Sequence, residues 1–276
     1  MVLCNLHLIS LKEGISIPTF LTTLHSTGIT PIVQARVLRW MILPRQISSG
    51  YLLARNTHWD LLLILSSASS DSDSDSDSLP RDQIAAEWTA TAGTSSKLLS
   101  NYSTTNTKLF NTAPSSVKLD LDLDAAGQKA ESSSNLEITP ETARFITNLP
   151  DPLKSHPVSM LNLLAFNPGK HGDYVKYGQE FSARVGSRYG GHVKIVGKVT
   201  SSGAEGTEQE GWDEIAYVHY PSIVNFAAMA GDKDYQDVNH KYRLGALKDT
   251  FIICTVEVGL DGEPIGLKRK EGEAKL

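Results

Sequence analysis

Cysteine is scarce in this chain of 276 residues: Cys4 and Cys254 are the only two. Both lie in apolar, strand-like runs, the usual setting of a buried reduced thiol, and one distant pair cannot make a disulfide scaffold. Basic residues are in the minority, 26 Lys and Arg against 31 Asp and Glu, and the net charge of −5 excludes the basic face that nucleic acid requires. Long apolar runs are missing too. None approaches the ~20 residues that cross a bilayer, so no membrane association is expected. The opening Met1-Val2-Leu3-Cys4 has neither a basic stretch nor a small-residue cleavage site. It reads as a first strand, which points to a cytoplasmic setting and makes the sequon at Asn101 a chance match. The eight histidines include no His-x-His or His-x3-His pair, and Cys-x-x-Cys is absent, so no metal is expected. A haem needs a single axial ligand, for which His219 or His240 would serve, but nothing selects either. Glycine-rich phosphate loops, a Gly-x-Ser-x-Gly elbow and a Walker sequence are lacking, and no cofactor is implied.

What is present is a repeated arrangement. Asn5-Leu6 in the opening apolar run and Trp59-Asp60 ahead of residues 61–65 recur as Asn162-Leu163 and Trp212-Asp213 ahead of 214–220. Each pair stands in the same order at the start of a strand-like segment, with a helix-like segment and another strand between. Such a repeat predicts an α+β fold in which one β-α-β-β-α-β unit is used twice and two sheets pack against each other.

The first unit is expected at 1–124. Val2–Leu11 is a strand, 13–14 a turn, and Ile17–Ser26 a helix burying Phe20, Leu21 and Leu24, stopped by Gly28. A long β-branched strand follows over 29–43, then a strand over 59–66. The spacing of Ile84, Ala85 and Trp88 predicts a helix over 81–92, and the alternation in 117–123 a closing strand. The Asp-Ser run at 66–78 cannot bury apolar surface and is expected to be a disordered loop, inert or a kinase target; 101–116 is expected to be mobile. Residues 125–152 are a linker, with a short helix begun by Thr139-Pro140-Glu141. The second unit, 153–258, shows a strand at 158–166, a helix at 173–189 ended by Gly190-Gly191, and strands at 192–200 and 212–220. A helix broken at Gly231-Asp232 follows, and a strand at 251–258 closes the unit. The tail, 259–276, is expected to be loose.

Ser159-Met160-Leu161-Asn162-Leu163, the Tyr-rich helix ending in Gly190-Gly191, Trp212-Asp213, Tyr220-Pro221-Ser222 and Asp234-Tyr235-Gln236 ahead of Arg243 together carry a resemblance. They resemble the dimeric α/β-barrel superfamily and, within it, the family catalogued as domain of unknown function 1330, over about residues 155–258. The first half joins this resemblance through the repeat. The resemblance implies two ferredoxin-like sheets forming a pseudo-dimeric barrel whose interior holds a small ligand. Activities of the superfamily include cofactor-free oxygenation, cyclisation, isomerisation and decarboxylation. The implied partner is a small molecule, and the implied assembly a monomer with internal pseudo-symmetry or a homodimer.

Strand parity supplies candidate site residues. On 212–220 one face carries Asp213, Ile215, Tyr217 and His219, where the first copy carries Asp60, Leu62, Ile64 and Ser66. If this face lines the barrel, His219 is the general base and Tyr217 the donor to a developing oxyanion; the alternative is a strand end at the surface. Asp213 would orient a neighbour, although its copy Asp60 favours a strand-end tie, and Asn162 would either bind ligand or satisfy the strand. Tyr235, Asn239 and Arg243 recur on one helix face, with Arg243 either forked toward a carboxylate or enolate or paired to Asp237 or Glu180. Tyr174 and Tyr177 fit sheet-packing aromatics. The favoured function is a cofactor-independent enzyme abstracting a proton from an aromatic or polyketide-like carbonyl compound. The rivals are a non-catalytic small-molecule-binding or stress-associated module, and a scaffold using the Asp-Ser loop.

Overall fold

Leu6 and Leu8 alternate with Asn5 and His7, and Val2–Leu11, which carries them, is strand β1. The computed structural model describes residues 2–47, 57–66, 79–112, 117, 136–204 and 209–267. Helix α1 (Ile17–Ser26) starts where the Ser16 hydroxyl accepts from Thr19 N at 3.3 Å, with Pro18 in its first turn. Strands β2 (Val33–Ile42), β3 (Leu61–Ser66) and β4 (Ile84–Thr94) follow, then the short α2 (Ser96–Ser100) and α3 (Tyr102–Asn111). Helices α4 (Pro140–Asn148), capped by Thr139 as its sequence predicts, and α5 (Asp151–Lys154) lead to the second half. There β5 (Val158–Phe166), α6 (His171–Glu180), β6 (His192–Gly203) and β7 (Glu214–Tyr220) precede α7 (Ile223–Gly231), α8 (Lys233–Val238) and β8 (Leu247–Glu257). Two helices widen into π turns at their ends, α6 over Phe181–Gly186 and α8 over Asn239–Arg243.

The strands close into one antiparallel barrel in the order β1-β3-β2-β8-β5-β7-β6-β4. Each half contributes the same internal order, fourth-first-third-second, as β4-β1-β3-β2 and β8-β5-β7-β6; the halves join at β2–β8 and β6–β4. Closure leaves every strand paired on both sides, which removes the edges that open sheets must protect.

The barrel interior is filled. Leu6, Leu8, Leu62 and Ile64 from the first half meet Leu161, Leu163, Ile215 and Phe251 from the second, with Trp59, Trp88 and Trp212 among them. One carboxylate oxygen of Glu210 accepts from both Trp88 Nε1 and Trp212 Nε1, at 2.9 Å each. An eight-stranded interior is either filled by side chains or holds one small ligand, and here these buried residues fill it, so the expected ligand space lies elsewhere.

Three expectations need correction. Of residues 81–92 only Arg81–Gln83 are helical, as a single 3-10 turn: Ile84, Ala86, Trp88, Ala90 and Ala92 follow a two-residue period, and β4 pairs with both β1 and β6. Alanine and glutamate favour helix locally, but two waiting strand partners and the buried Trp88 outweigh that propensity. The polar stretch 101–116 contains α3, anchored by Tyr102. The closing strand expected at 117–123 has its place in the first half's sheet taken by β4; residues 118–123 lie outside the described residues, as do 67–78 and 125–135.

Helices cover the outer sheet face of each half. Over the first, α1 drives Phe20, Leu21 and Leu24 against Ile9, Leu61, Leu63 and Leu65. Over the second, Phe181 of the α6 extension, Phe226 of α7 and Tyr235 of α8 pack toward Met160, Tyr220 and Ile252. No described helix is long and apolar enough to cross a membrane.

Candidate functional site

A cavity of about 500 Å³ lies between the outer face of β5 and β7 and the helices above it. Its floor follows from strand parity: with Ile215 and Tyr217 turned inward, Glu214, Ala216, Val218 and Tyr220 face out beside Met160 and Asn162. Its roof comes from helical spacing, which stacks Tyr174, Tyr177 and Phe181 along one face. Ring centroids are 5.3 Å apart for Tyr174 and Tyr177, 6.1 Å for Tyr177 and Phe181, and 6.3 Å for Phe181 and Tyr235. Tyr177 and Tyr235 also join through their hydroxyls at 3.2 Å.

Arg243 reaches this space from the π turn that ends α8. It is only 1% exposed, and its Nη1 has a long contact of 3.4 Å to Asn239 Oδ1, whereas Nη2 has no hydrogen-bond partner. The acids expected to neutralise it are engaged elsewhere: Asp237 pairs with Lys233 at 2.7 Å and Glu180 with Arg184 at 2.8 Å. Among the described residues Arg243 has no ion pair. Holding a guanidinium out of water without a counter-charge costs several kcal/mol unless something compensates. Burial keeps the hydroxyls of Tyr174, Tyr177, Tyr220 and Tyr235 well protonated, although the nearby Arg243 charge opposes that shift in each. The wall around the cation is therefore a set of neutral hydroxyls.

Glu214 also lines the cavity. Burial lifts its carboxyl above the ordinary range, Asp213 adds to that, and His171, 3.4 Å away at the cavity rim, opposes it. A carboxylate so placed accepts a proton more readily than an exposed one. His171, on the first turn of α6, is exposed and opens to solvent.

The structure separates the residues singled out from sequence into two places. Asn162, Tyr235 and Arg243 line the cavity. The Asn162 amide nitrogen is spent on the strands, donating to Met160 O at 3.1 Å and Ala216 O at 3.2 Å. Asp213 is outside the cavity lining and ties a strand end: its Oδ2 accepts from Phe166 N at 2.7 Å, just as Asp60 Oδ2 accepts from Leu11 N at 2.7 Å. Counted from these aspartates, the residue matching Asn162 is His7, not Asn5: Asn162 pairs with Ala216 and His7 with Leu63, each three positions past its aspartate.

Tyr217 and His219 occupy the inward face, as their parity predicts, and do not line this cavity. They sit near a buried polar network at one end of the barrel. There Lys194 is ion-paired with Glu257, which also accepts from Tyr102 OH at 2.9 Å and Asn106 Nδ2 at 2.7 Å. Tyr217 OH meets Thr255 Oγ1 at 3.0 Å, and the Lys194 ammonium lies 4.6 Å from the Tyr217 ring centre. Burial, then the charges of Lys194 and His192, press the His219 imidazole down to about 3. It is a neutral ring packed near Phe110, with centroids 6.2 Å apart.

Glu214, His171, Tyr174 and Tyr177 escaped sequence reasoning as site residues. The available signal was Glu214 and Ala216 on the outward side of β7, where the first half has Leu61 and Leu63. No group of three or more His, Cys, Asp or Glu among the described residues is placed to hold a metal ion.

No protein-family model and no curated protein matches the chain. Solved structures similar to part of it include these two. One is RPA0582, a protein of unknown function from Rhodopseudomonas palustris, 29% identical over 43% of this chain and 93% of its own, with a TM-score of 0.35. The other, described as methylated RPA0582 protein, is 26% identical over 50% of this chain and 97% of its own, also with a TM-score of 0.35.

Proposed function

We propose that the chain is a small-molecule enzyme that abstracts a proton from an aromatic or polyketide-like carbonyl compound, using its own side chains in the cavity above β5 and β7. One observation carries this reading: a space of about 500 Å³ with aromatic and aliphatic walls onto which a few polar groups, Glu214, Tyr174 and Arg243, converge. That combination of size, apolar lining and sparse polar groups is what small-molecule sites share. In the proposed step Glu214 takes the proton from the carbon beside the carbonyl. The C–H electron pair becomes a C=C bond, the carbonyl pair moves to oxygen, and a tyrosine hydroxyl donates to the enolate that forms. Where a C=C bond is conjugated with the enolate, return of the Glu214 proton to its far carbon makes the reaction an isomerisation; attack by the enolate carbon on a second carbonyl, whose C=O pair moves to oxygen and takes the Glu214 proton, makes it a cyclisation.

The same proposal places the chain in the dimeric α/β-barrel superfamily, near the domain-of-unknown-function 1330 family, as two fused ferredoxin-like units working as a monomer. Support comes from the shared fourth-first-third-second strand order, the matched aspartate ties and the complete β-α-β-β-α-β sequence of the second half.

The test is a panel of aryl ketones and aryl diketones followed by NMR in deuterated water. At least one compound should exchange its α-protons faster with protein than in buffer, and Glu214→Gln should abolish the acceleration without moving the melting temperature more than a few degrees. Binding without accelerated exchange would make the protein a binding module and end the enzyme reading.

A further inference from the structure

We infer that Arg243 anchors an anionic group, a carboxylate or its equivalent, on a ligand whose flat apolar body fills the same cavity. The inference rests on the reading of that cavity as a ligand site and adds the charge of what enters it. Three observations carry it. First, Arg243 is buried with only neutral partners, a 3.4 Å contact from Nη1 to Asn239 Oδ1 and a hydrogen bond with the Tyr174 hydroxyl, and its Nη2 has no partner. Buried charges are ordinarily paired, so an unpaired one at a cavity wall is completed by what binds there. Second, the acids that sequence spacing offered as its counter-charge are drawn off, Asp237 by Lys233 and Glu180 by Arg184. Third, the other polar groups within electrostatic reach of Arg243 include hydroxyl donors, Tyr174, Tyr177 and Tyr235. Donors and a cation welcome an anion and offer little to a second cation. The planar guanidinium presents paired N–H groups to a carboxylate, a geometry an ammonium lacks. Glu214, the acid among the lining residues, pairs with His171 and not with Arg243.

The experiment compares 2-naphthoate with its neutral near-isostere 2-naphthamide by calorimetric titration of the full chain. The expected result is that naphthoate binds at least thirtyfold more tightly, and that Ala216→Leu, which narrows the floor, weakens both compounds. Arg243→Gln should lower naphthoate affinity at least tenfold while leaving naphthamide within about twofold. Equal affinity of the two compounds for the unaltered protein would overturn the anion anchor and leave the cavity reading standing. Naphthoate preference surviving in a folded Arg243→Gln protein would overturn it as well. Failure of both compounds to bind would instead strike the cavity reading on which the inference rests. Should Arg243→Gln not fold, the comparison on the unaltered protein still decides.

Discussion

The outer layers of the two halves share strand order and register but differ in what fills them. Leu61, Leu63 and Leu65 of β3 stand where β7 carries Glu214, Ala216 and Val218, counted from the matched aspartates. Above the leucines, α1 lays Phe20, Leu21 and Leu24, and this layer is packed solid. Above Glu214 and Ala216, α6 and α8 present tyrosines and Arg243, and a cavity remains. The lesson is that a hollow need not be built by changing the order or register of the strands. Shortening a floor residue and raising its roof on long, stiff aromatic rings is enough, because close packing elsewhere stops the layer from collapsing into the space. The inward faces differ too, with Tyr217 and His219 in the second half where the first has Ile64 and Ser66.

The contrast can be broken most strongly by opening the solid layer. Leu63→Ala should cost about 3 kcal/mol in urea unfolding, the usual loss for a fully buried leucine, and leave naphthoate binding unchanged. A loss under about 1 kcal/mol would mean the first layer is not packed as described.

Next in size is the acid sensitivity that the second half's buried imidazole introduces. The His219 pKa is about 3 when folded against an ordinary 6.5, so the unfolded chain binds the extra proton first and stability falls as pH drops below 6.5. His156, pushed by burial to about 4, acts in the same direction. Between pH 6.5 and 5 the His219 share amounts to about 2 kcal/mol. Replacing it in His219→Gln should flatten the pH dependence by that amount, measured as unfolding free energy at the two pH values. An unchanged slope would mean that His219 takes up its proton in the folded protein.

Asp60→Ala and Asp213→Ala sharpen the likeness between the halves. Each removes an acceptor 2.7 Å from a backbone N–H, and each should cost about 1–2 kcal/mol. A large loss for one and none for the other would break the equivalence. The smallest effect is expected of Ala216→Leu: with room above it, the larger side chain should change stability by less than about 1 kcal/mol in either direction. A loss of 2 kcal/mol or more in urea unfolding would mean the space is not there.

Much of this was legible in the sequence. The alternation in β1, the Pro18 start of α1, the Thr139 cap and the inward parity of Tyr217 are local, and each appears in the fold where the residues place it. The aspartate ties were legible because the motif recurs and Asp has few local roles at a strand start. Strand β4 was not, since its residues favour a helix until β1 and β6 stand on either side. Nor was the match of Asn162 to His7, because repeat spacing in sequence does not reveal how strands slide in register.

The cavity marks the boundary. Sequence alone determined which residues of β7 share a face, and that the Tyr174 and Tyr177 rings and Arg243 lie on helices beside it. It could not decide which face is hollow, because that depends on the summed volumes of side chains brought together from distant segments, such as Asn162 and Arg243, 81 positions apart. Only the tertiary structure filled the barrel with tryptophan and leucine, left the space on the other side of the sheet, and buried Arg243 there with its expected acids turned to other partners.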